Sequence, residues 1–208
     1  MGKLHIADHP LIKDKIAKLR DKKTGAKEFR EIAKEVATLL FYDATRELPT
    51  KKATVETPIQ EAECEVVEPN LAVVPILRAG LGMVDGILSL MPTTKVGHIG
   101  IFRQPDTLQP IEYYSKLPPD CADRYVFLTD PMLATGGTAN AAITFMKAKG
   151  VVNITFLCLL ACPNGVRRVQ ENHPDVNIYA AAIDPILNDH GYIVPGLGDA
   201  GDRIFGTK

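Results

Sequence analysis

Apolar residues recur along this chain with two different periods. Leu11, Ile12, Ile16 and Leu19 fall at helical spacing, as do Phe29, Ile32, Val36, Leu39 and Leu40, so two amphipathic helices are predicted near the N-terminus. Pro49 stops the second, because a prolyl ring cannot continue a helix. Ala53, Val55, Thr57 and Ile59 then alternate, followed by Ala62, Cys64 and Val66, which predicts a half-buried two-stranded section. From Leu71 the character changes. "LAVVPIL" is a continuous apolar run, as expected of a strand covered on both faces. "MVDGILSLM" reads as a helix, and "KVGHIGIF" and "IEYYSKL" as strands. They are joined through "RQPDTLQP", whose prolines and polar residues predict an exposed, mobile loop. The strand "YVFLT", a helix from Ala139 to Lys149, the strand "NITFLCLLA", the helix "GVRRVQEN" and the strand "NIYAAAI" follow. Strands alternating with helices imply βαβ units and a mainly parallel sheet. The tail from Asp189 reads as irregular and glycine-rich.

Composition narrows the picture only slightly. The 208 residues suit a single domain, and 46% hydrophobic with 24% charged residues is ordinary for a globular protein. A formal net charge of −1 gives no general pull toward nucleic acid or membrane. No apolar run approaches the ~20 residues of a membrane span. The N-terminus lacks the apolar core of a signal peptide, and Ile6 stands where a myristoylation site wants Ser or Thr. Cys64, Cys121, Cys158 and Cys162 form no CxxC pair; in a strand, Cys158 and Cys162 would share a face. Buried free thiols in a reducing cytoplasm are expected. No repeat or low-complexity segment is present.

Candidate chemistry gathers beyond the carboxyl ends of the strands, where open parallel sheets bind ligands. Arg78 follows "PIL", Arg103 follows "GIF", and Asp130 follows "FLT". Then come Thr135, Gly136, Gly137 and Thr138 at the start of a helix. A loop entering a helix offers unpaired N–H groups and the positive end of the helix dipole, so it binds phosphate readily. The glycines permit close backbone approach and the threonines add hydroxyl donors. No Walker A loop occurs, and this loop holds no Lys. The site therefore suits a terminal monophosphate, with Asp130 accepting bonds from the hydroxyls of an attached sugar. Two arginines at the same sheet edge suit further phosphate groups.

"VFLTDPMLATGGTA" closely resembles the 5-phosphoribosyl 1-diphosphate motif of type I phosphoribosyltransferases. That family usually shows two adjacent acids after the strand; here the second is Pro131. The departure, "PILRAGLGM" and the tail "YIVPGLGDAGDRIFGT" are similar to its uracil phosphoribosyltransferase branch. The resemblance implies an α/β type I phosphoribosyltransferase fold. This is a mainly parallel sheet flanked by helices, with N-terminal helices, a β-arm and an irregular C-terminal base-binding segment. It implies transfer of phosphoribosyl to uracil, giving UMP and diphosphate. Asp130, Pro131, Met132, Leu133, Ala134, Thr135, Gly136, Gly137 and Thr138 would hold the ribose and its 5′-phosphate. Arg78 and Arg103 would hold the diphosphate, and Asp199 would also face the phosphoribosyl diphosphate. Uracil would lie against backbone at Ile193, Gly198, Asp199 and Ala200. Arg78, Arg103, Asp130 and Asp199 would thus carry the catalysis. Mg²⁺ would accompany the diphosphate, with no metal held by protein ligands alone. A homo-oligomer, dimer or tetramer, is expected, and some family members respond to GTP, for which no site is readable here.

Other readings are weaker. "GLGDAG" matches G-x-G-x-x-G literally, but only seven residues follow it, so no βαβ unit can form. "GLGMVDG" after "PIL" is a better dinucleotide candidate, with Arg103 meeting a 2′-phosphate, yet it leaves Asp130 and the Thr/Gly loop unused. His5 and His9 are four apart without a further clustered ligand. An RNA-binding regulator on the same fold would want a basic face, and the acids between Lys13 and Lys27 argue instead for a solvated helix. Transfer to another base, such as a purine, is the remaining alternative.

Overall fold

The computed structural model describes residues 2–103 and 110–207, and of Arg103 its backbone. The loop expected to be mobile lies, at 104–109, outside the described residues. The chain opens with β1 (Leu4–Ile6) and α1 (Pro10–Arg20). His9 caps α1: its ring Nδ1 accepts the Leu11 N–H at 3.2 Å, and Pro10 occupies a position whose N–H would be unpaired anyway. α2 (Ala26–Ala44) follows. Ile12, Ile16 and Leu19 of α1 and Phe29, Ile32, Val36 and Leu40 of α2 are buried, as their spacing requires. Leu11 is exposed.

β2 (Thr50–Glu56) and β3 (Glu61–Val67) form an antiparallel hairpin that pairs with no other strand among the described residues. The alternation predicted a half-buried pair, but this arm is exposed on nearly every residue. Cys64 on β3 is exposed with it, unlike the buried Cys121, Cys158 and Cys162. Alternation marks two faces, and among the described residues nothing buries either.

The main sheet is built from β4 (Leu71–Leu77), β5 (Lys95–Val96), β6 (His98–Arg103), β7 (Pro110–Lys116), β8 (Tyr125–Thr129), β9 (Met132–Leu133), β10 (Asn153–Ala161) and β11 (Asn177–Ile183), with β1. Its order is β1-β11-β10-β8-β4-β6-β7, with β5 beside β4 and β9 beside β10. All pairs are parallel except β6–β7. The helices α3 (Leu81–Leu90), α4 (Gly137–Ala148) and α5 (Pro163–Asn172) are the crossovers. Strand residues alternate between two apolar clusters. Val73, Phe127 and Leu157 pack with α1, α2 and α3, whereas Val74, Leu128 and Phe156 pack with α4 and α5. Continuous apolar runs are the consequence of that double coverage.

One strand breaks its alternation. The N–H groups of Leu159 and Leu160 both donate to the Pro131 carbonyl, at 3.0 Å each, and both side chains fall in the α1/α2/α3 cluster. Cys158 therefore lies in one cluster and Cys162 in the other, not on a shared face.

The tail is more ordered than its composition suggests. β12 (Ile186–Leu187) pairs antiparallel with β13 (Ile193–Val194), and α6 (Ala200–Phe205) follows. Asp199 caps α6 by accepting the Asp202 N–H at 2.9 Å.

Candidate active site

The strand ends bring the chemistry together. An added Cβ at Gly80 would overlap the Thr129 carbonyl oxygen and lie 2.7 Å from Ile76 N, and the Thr129 hydroxyl donates to the Gly80 carbonyl at 3.2 Å. The turn after β4, which carries Arg78, is thereby drawn against the end of β8, which carries Asp130. On the other side, Gly136 adopts φ +75° as the N-cap of α4. Its place for a Cβ is taken by Gly165 of α5, whose carbonyl oxygen would be 2.7 Å away.

Between these turns lie two adjoining cavities. The smaller, about 60 Å³, is lined by Asp130, Met132, Leu133, Ala134, Thr135, Gly136, Gly137 and Thr138 with Ala139. It sits at the N-terminus of α4, whose first intrahelical bond runs from Asn140 N–H to Gly136. The Gly137 N–H lies 3.5 Å from the Thr135 hydroxyl. The larger, about 300 Å³, is lined by Arg78, Met132, Ala134, Ile193, Gly198, Asp199 and Ala200 among the residues anticipated from sequence. Ala79, Gly191, Tyr192 and Gly201 complete its wall. These four carry no charge; Ala79 falls inside "PILRAGLGM", Tyr192 and Gly201 inside the tail "YIVPGLGDAGDRIFGT", and Gly191 just before it. Met132 and Ala134 belong to both cavities.

Arg78 is 60% exposed at its side chain; its guanidinium is 3.9 Å from an Asp202 carboxylate oxygen and 5.9 Å from the Phe205 ring centre. It thus spans from the sheet edge to α6. Asp130 accepts the Met132 N–H at 3.3 Å. Burial pushes its carboxyl up to about 7 and the Asp199 charge adds to the rise, against the Met132 bond. The Cys158 thiol nearby is pushed up by burial and by the Asp130 charge. Pro131 is buried and lines neither cavity; its carbonyl serves β10. The Arg103 backbone ends β6 opposite Pro110, and its side chain lies outside what is described.

The rival sites do not assemble. Within "GLGMVDG", a Cβ on Gly82 would meet Ile204 of α6 at 2.8 Å, and one on Gly86 would overlap the Lys34 carbonyl of α2. Those glycines serve packing, not a nucleotide. His5 stacks on Tyr179, with ring centres 4.3 Å apart, and His9 is spent as a cap.

Residues 6–207 match the sequence profile of the family described as uracil phosphoribosyltransferase. The chain belongs to that family. A uracil phosphoribosyltransferase of Brevibacillus brevis is 56% identical over 209 residues, covering 100% of both chains. The solved structure of AQ2163 protein from Aquifex aeolicus superposes with a TM-score of 0.94 at 36% identity, covering 99% of each chain. Adenine phosphoribosyl transferase from Trypanosoma brucei, solved with AMP, pyrophosphate and ribose-5-phosphate, shares the fold. Its TM-score is 0.61 at 14% identity, over 90% of this chain and 86% of that one. The fold is that of the type I phosphoribosyltransferases, and among the described residues no helix is long and apolar enough to cross a membrane.

Proposed function

We propose that this chain, acting as one domain, transfers the 5-phosphoribosyl group of 5-phospho-α-D-ribose 1-diphosphate to uracil, a pyrimidine salvage step. The bond from C1′ to the diphosphate oxygen breaks, a bond from C1′ to uracil N1 forms, and the N1 proton leaves. The observation that carries this reading is the shared wall of the two cavities at Met132 and Ala134. A small cradle of N–H and hydroxyl groups opens directly into a cleft flanked by Arg78 and Asp199. A sugar phosphate reaching from one to the other presents C1′ in the larger space.

In this arrangement the loop from Thr135 to Thr138 holds the 5′-phosphate and Asp130 accepts bonds from the ribose hydroxyls. The Arg78 and Arg103 guanidinium groups hold the departing diphosphate through paired donors. Negative charge from Asp130 and Asp199 favours the cationic ribose of the transition state. The main chain at Ile193, Gly198, Asp199 and Ala200 meets the uracil edge; cytosine would leave buried polar groups unpaired there. Most of the rate comes from positioning and charge stabilisation.

Magnesium enters with the diphosphate. Among the described residues no three His, Cys, Asp or Glu side chains group as a metal site; the carboxylates that line the two cavities, Asp130 and Asp199, would help to hold the ion. One or two carboxylates with substrate phosphates and water are the usual octahedral set for this ion. When bound, it neutralises leaving-group charge. We also propose a homo-oligomer; the exposed arm carries apolar Val55 and Ile59 toward its tip and Val66 and Val67 on opposite faces of its base.

The test is direct. Incubation with phosphoribosyl diphosphate, Mg²⁺ and each free base separately should yield UMP from uracil alone. A nucleotide from a purine instead overturns the assignment. Sedimentation of the same sample reads the oligomer, and added GTP reads any effector response.

A further inference from the structure

The main chain that would read the base is held by three charged side chains, of which Arg20 and Asp184 lie behind it and Arg203 beside it, in a neighbouring cavity lined also by Tyr192 and Asp199. Arg20, at the end of α1, donates through Nη1 to one Asp184 oxygen at 2.6 Å and through Nη2 to the other at 2.7 Å. The same Nη1 donates to the Gly196 carbonyl at 2.9 Å, and the Gly196 N–H returns a bond to Asp184 at 2.9 Å. Both polar groups of Gly196 are thus fixed by one ion pair. Arg203 grips the next residues: its guanidinium donates to the Leu197 carbonyl at 2.8 Å, to Asp21 O at 2.6 Å and to Leu19 O. It lies over the Phe29 ring, 4.4 Å from the centre.

The segment needs this support. Gly196 and Gly198 sit at φ +65° and +82°, and among the described residues the strand before them pairs only with the two-residue β12. Glycine backbone is the most costly to order, and a recognition edge made of peptide groups is selective only when rigid. Arg20 and Asp184 line neither cavity. Asp184 is 5% exposed, and the Arg20 guanidinium holds its carboxyl below the usual range. A paired, forked, charge-assisted contact is both strong and directional.

We propose that Arg20, Asp184 and Arg203 are positioning residues for the nucleobase, setting the backbone from Gly196 to Asp199 to the spacing of the uracil edge. The inference rests on the assignment of that edge to uracil under Proposed function. It predicts that the N-terminal helices govern base affinity while leaving the sugar-phosphate cradle alone.

Arg20→Gln and Asp184→Asn should each raise KM for uracil about tenfold, equivalent to about 1.4 kcal/mol, and leave KM for phosphoribosyl diphosphate within about twofold. Arg20→Lys, which keeps the charge but loses the fork, should fall between these and the parent. Hydrogen exchange of the amides from Gly196 to Asp199 should quicken in all three. A parallel rise in both KM values would show a merely structural role and overturn the proposal, as would an unchanged uracil KM with quickened exchange. If Arg20→Gln does not fold, Arg20→Lys decides. If the parent protein uses a different base, the function above fails, and the same split read with that base still tests the clamp.

Discussion

Across the cleft, the Asp199 charge adds to the rise of the Asp130 carboxyl. Burial is the larger cause and holds Asp130 near 7 in the ligand-free protein. Asp130 is therefore more protonated in the folded than in the unfolded chain between the usual carboxylate value of 3.8 and about 7. Its contribution to stability falls as pH rises through that window, against the opposite contribution of His173, whose imidazole pKa burial lowers. Asp130→Asn should flatten that fall, measured as Tm against pH without ligand. Ribose hydroxyls need the ionised form, so phosphoribosyl diphosphate should bind more tightly as pH passes 7. Titration calorimetry should find that slope reduced in the Asn variant. An equal slope in both proteins would assign it to the ligand's own phosphates.

Gly165 lies behind the loop from Leu133 to Gly136 and touches no ligand in the proposed arrangement. A Cβ there would stand 2.6 Å from the Ala134 carbonyl and 2.7 Å from that of Leu133, both backbone atoms that cannot swing aside. Gly165→Ala should push the loop into its own small cavity. Overpacking of this kind costs about 1–3 kcal/mol in stability. KM for phosphoribosyl diphosphate should rise while KM for uracil holds, the opposite split from that of Arg20→Gln. Steady-state kinetics with each substrate varied in turn checks this.

How far the sequence disclosed this structure depends on what each pattern measures. β4 and β8 were plain because strands covered on both faces leave an unbroken apolar run. The Thr135–Thr138 loop was legible as a helix start because small and hydroxyl residues gather where the helical pattern begins, and Gly136 is the N-cap of α4. The arm was misjudged because alternation reports two faces and not what covers them. β1 escaped because three residues carry no period, and it is fixed by parallel pairing with β11. The Cys158/Cys162 expectation failed at a double acceptor, Pro131, that no periodicity reveals. α6 was hidden by glycines, although Asp199 at its cap was in view. Tyr192 had no signal of its own, and the Arg20–Asp184 pair, 164 residues apart, could come only from the fold.

Gly80 sets the position of Arg78. Gly80→Ala would overlap the end of β8 at Thr129, with Ile76 backbone closing the other side at 2.7 and 2.8 Å. Since the residue is buried, the chain has nowhere to shift except toward the cleft. The variant should lose about 1–3 kcal/mol by denaturant unfolding and most of its turnover. A folded variant with full turnover would separate this turn from catalysis.

Arg78 itself should behave in the opposite way. With 60% of its side chain exposed and its Asp202 contact at 3.9 Å, it contributes little to stability. Surface pairs of this kind are worth about 0–1 kcal/mol. Arg78→Ala should leave the unfolding midpoint nearly unchanged. It should lower kcat by about a hundredfold or more, the scale seen when one preorganised charge donor is lost. Arg78→Lys should recover only part of this, because an ammonium cannot offer the diphosphate two parallel donors. Inhibition by free diphosphate provides a second reading: its affinity should fall in step with kcat across the two variants. Unaltered diphosphate affinity in Arg78→Ala would move the leaving group away from this side of the cleft, even if turnover were lost.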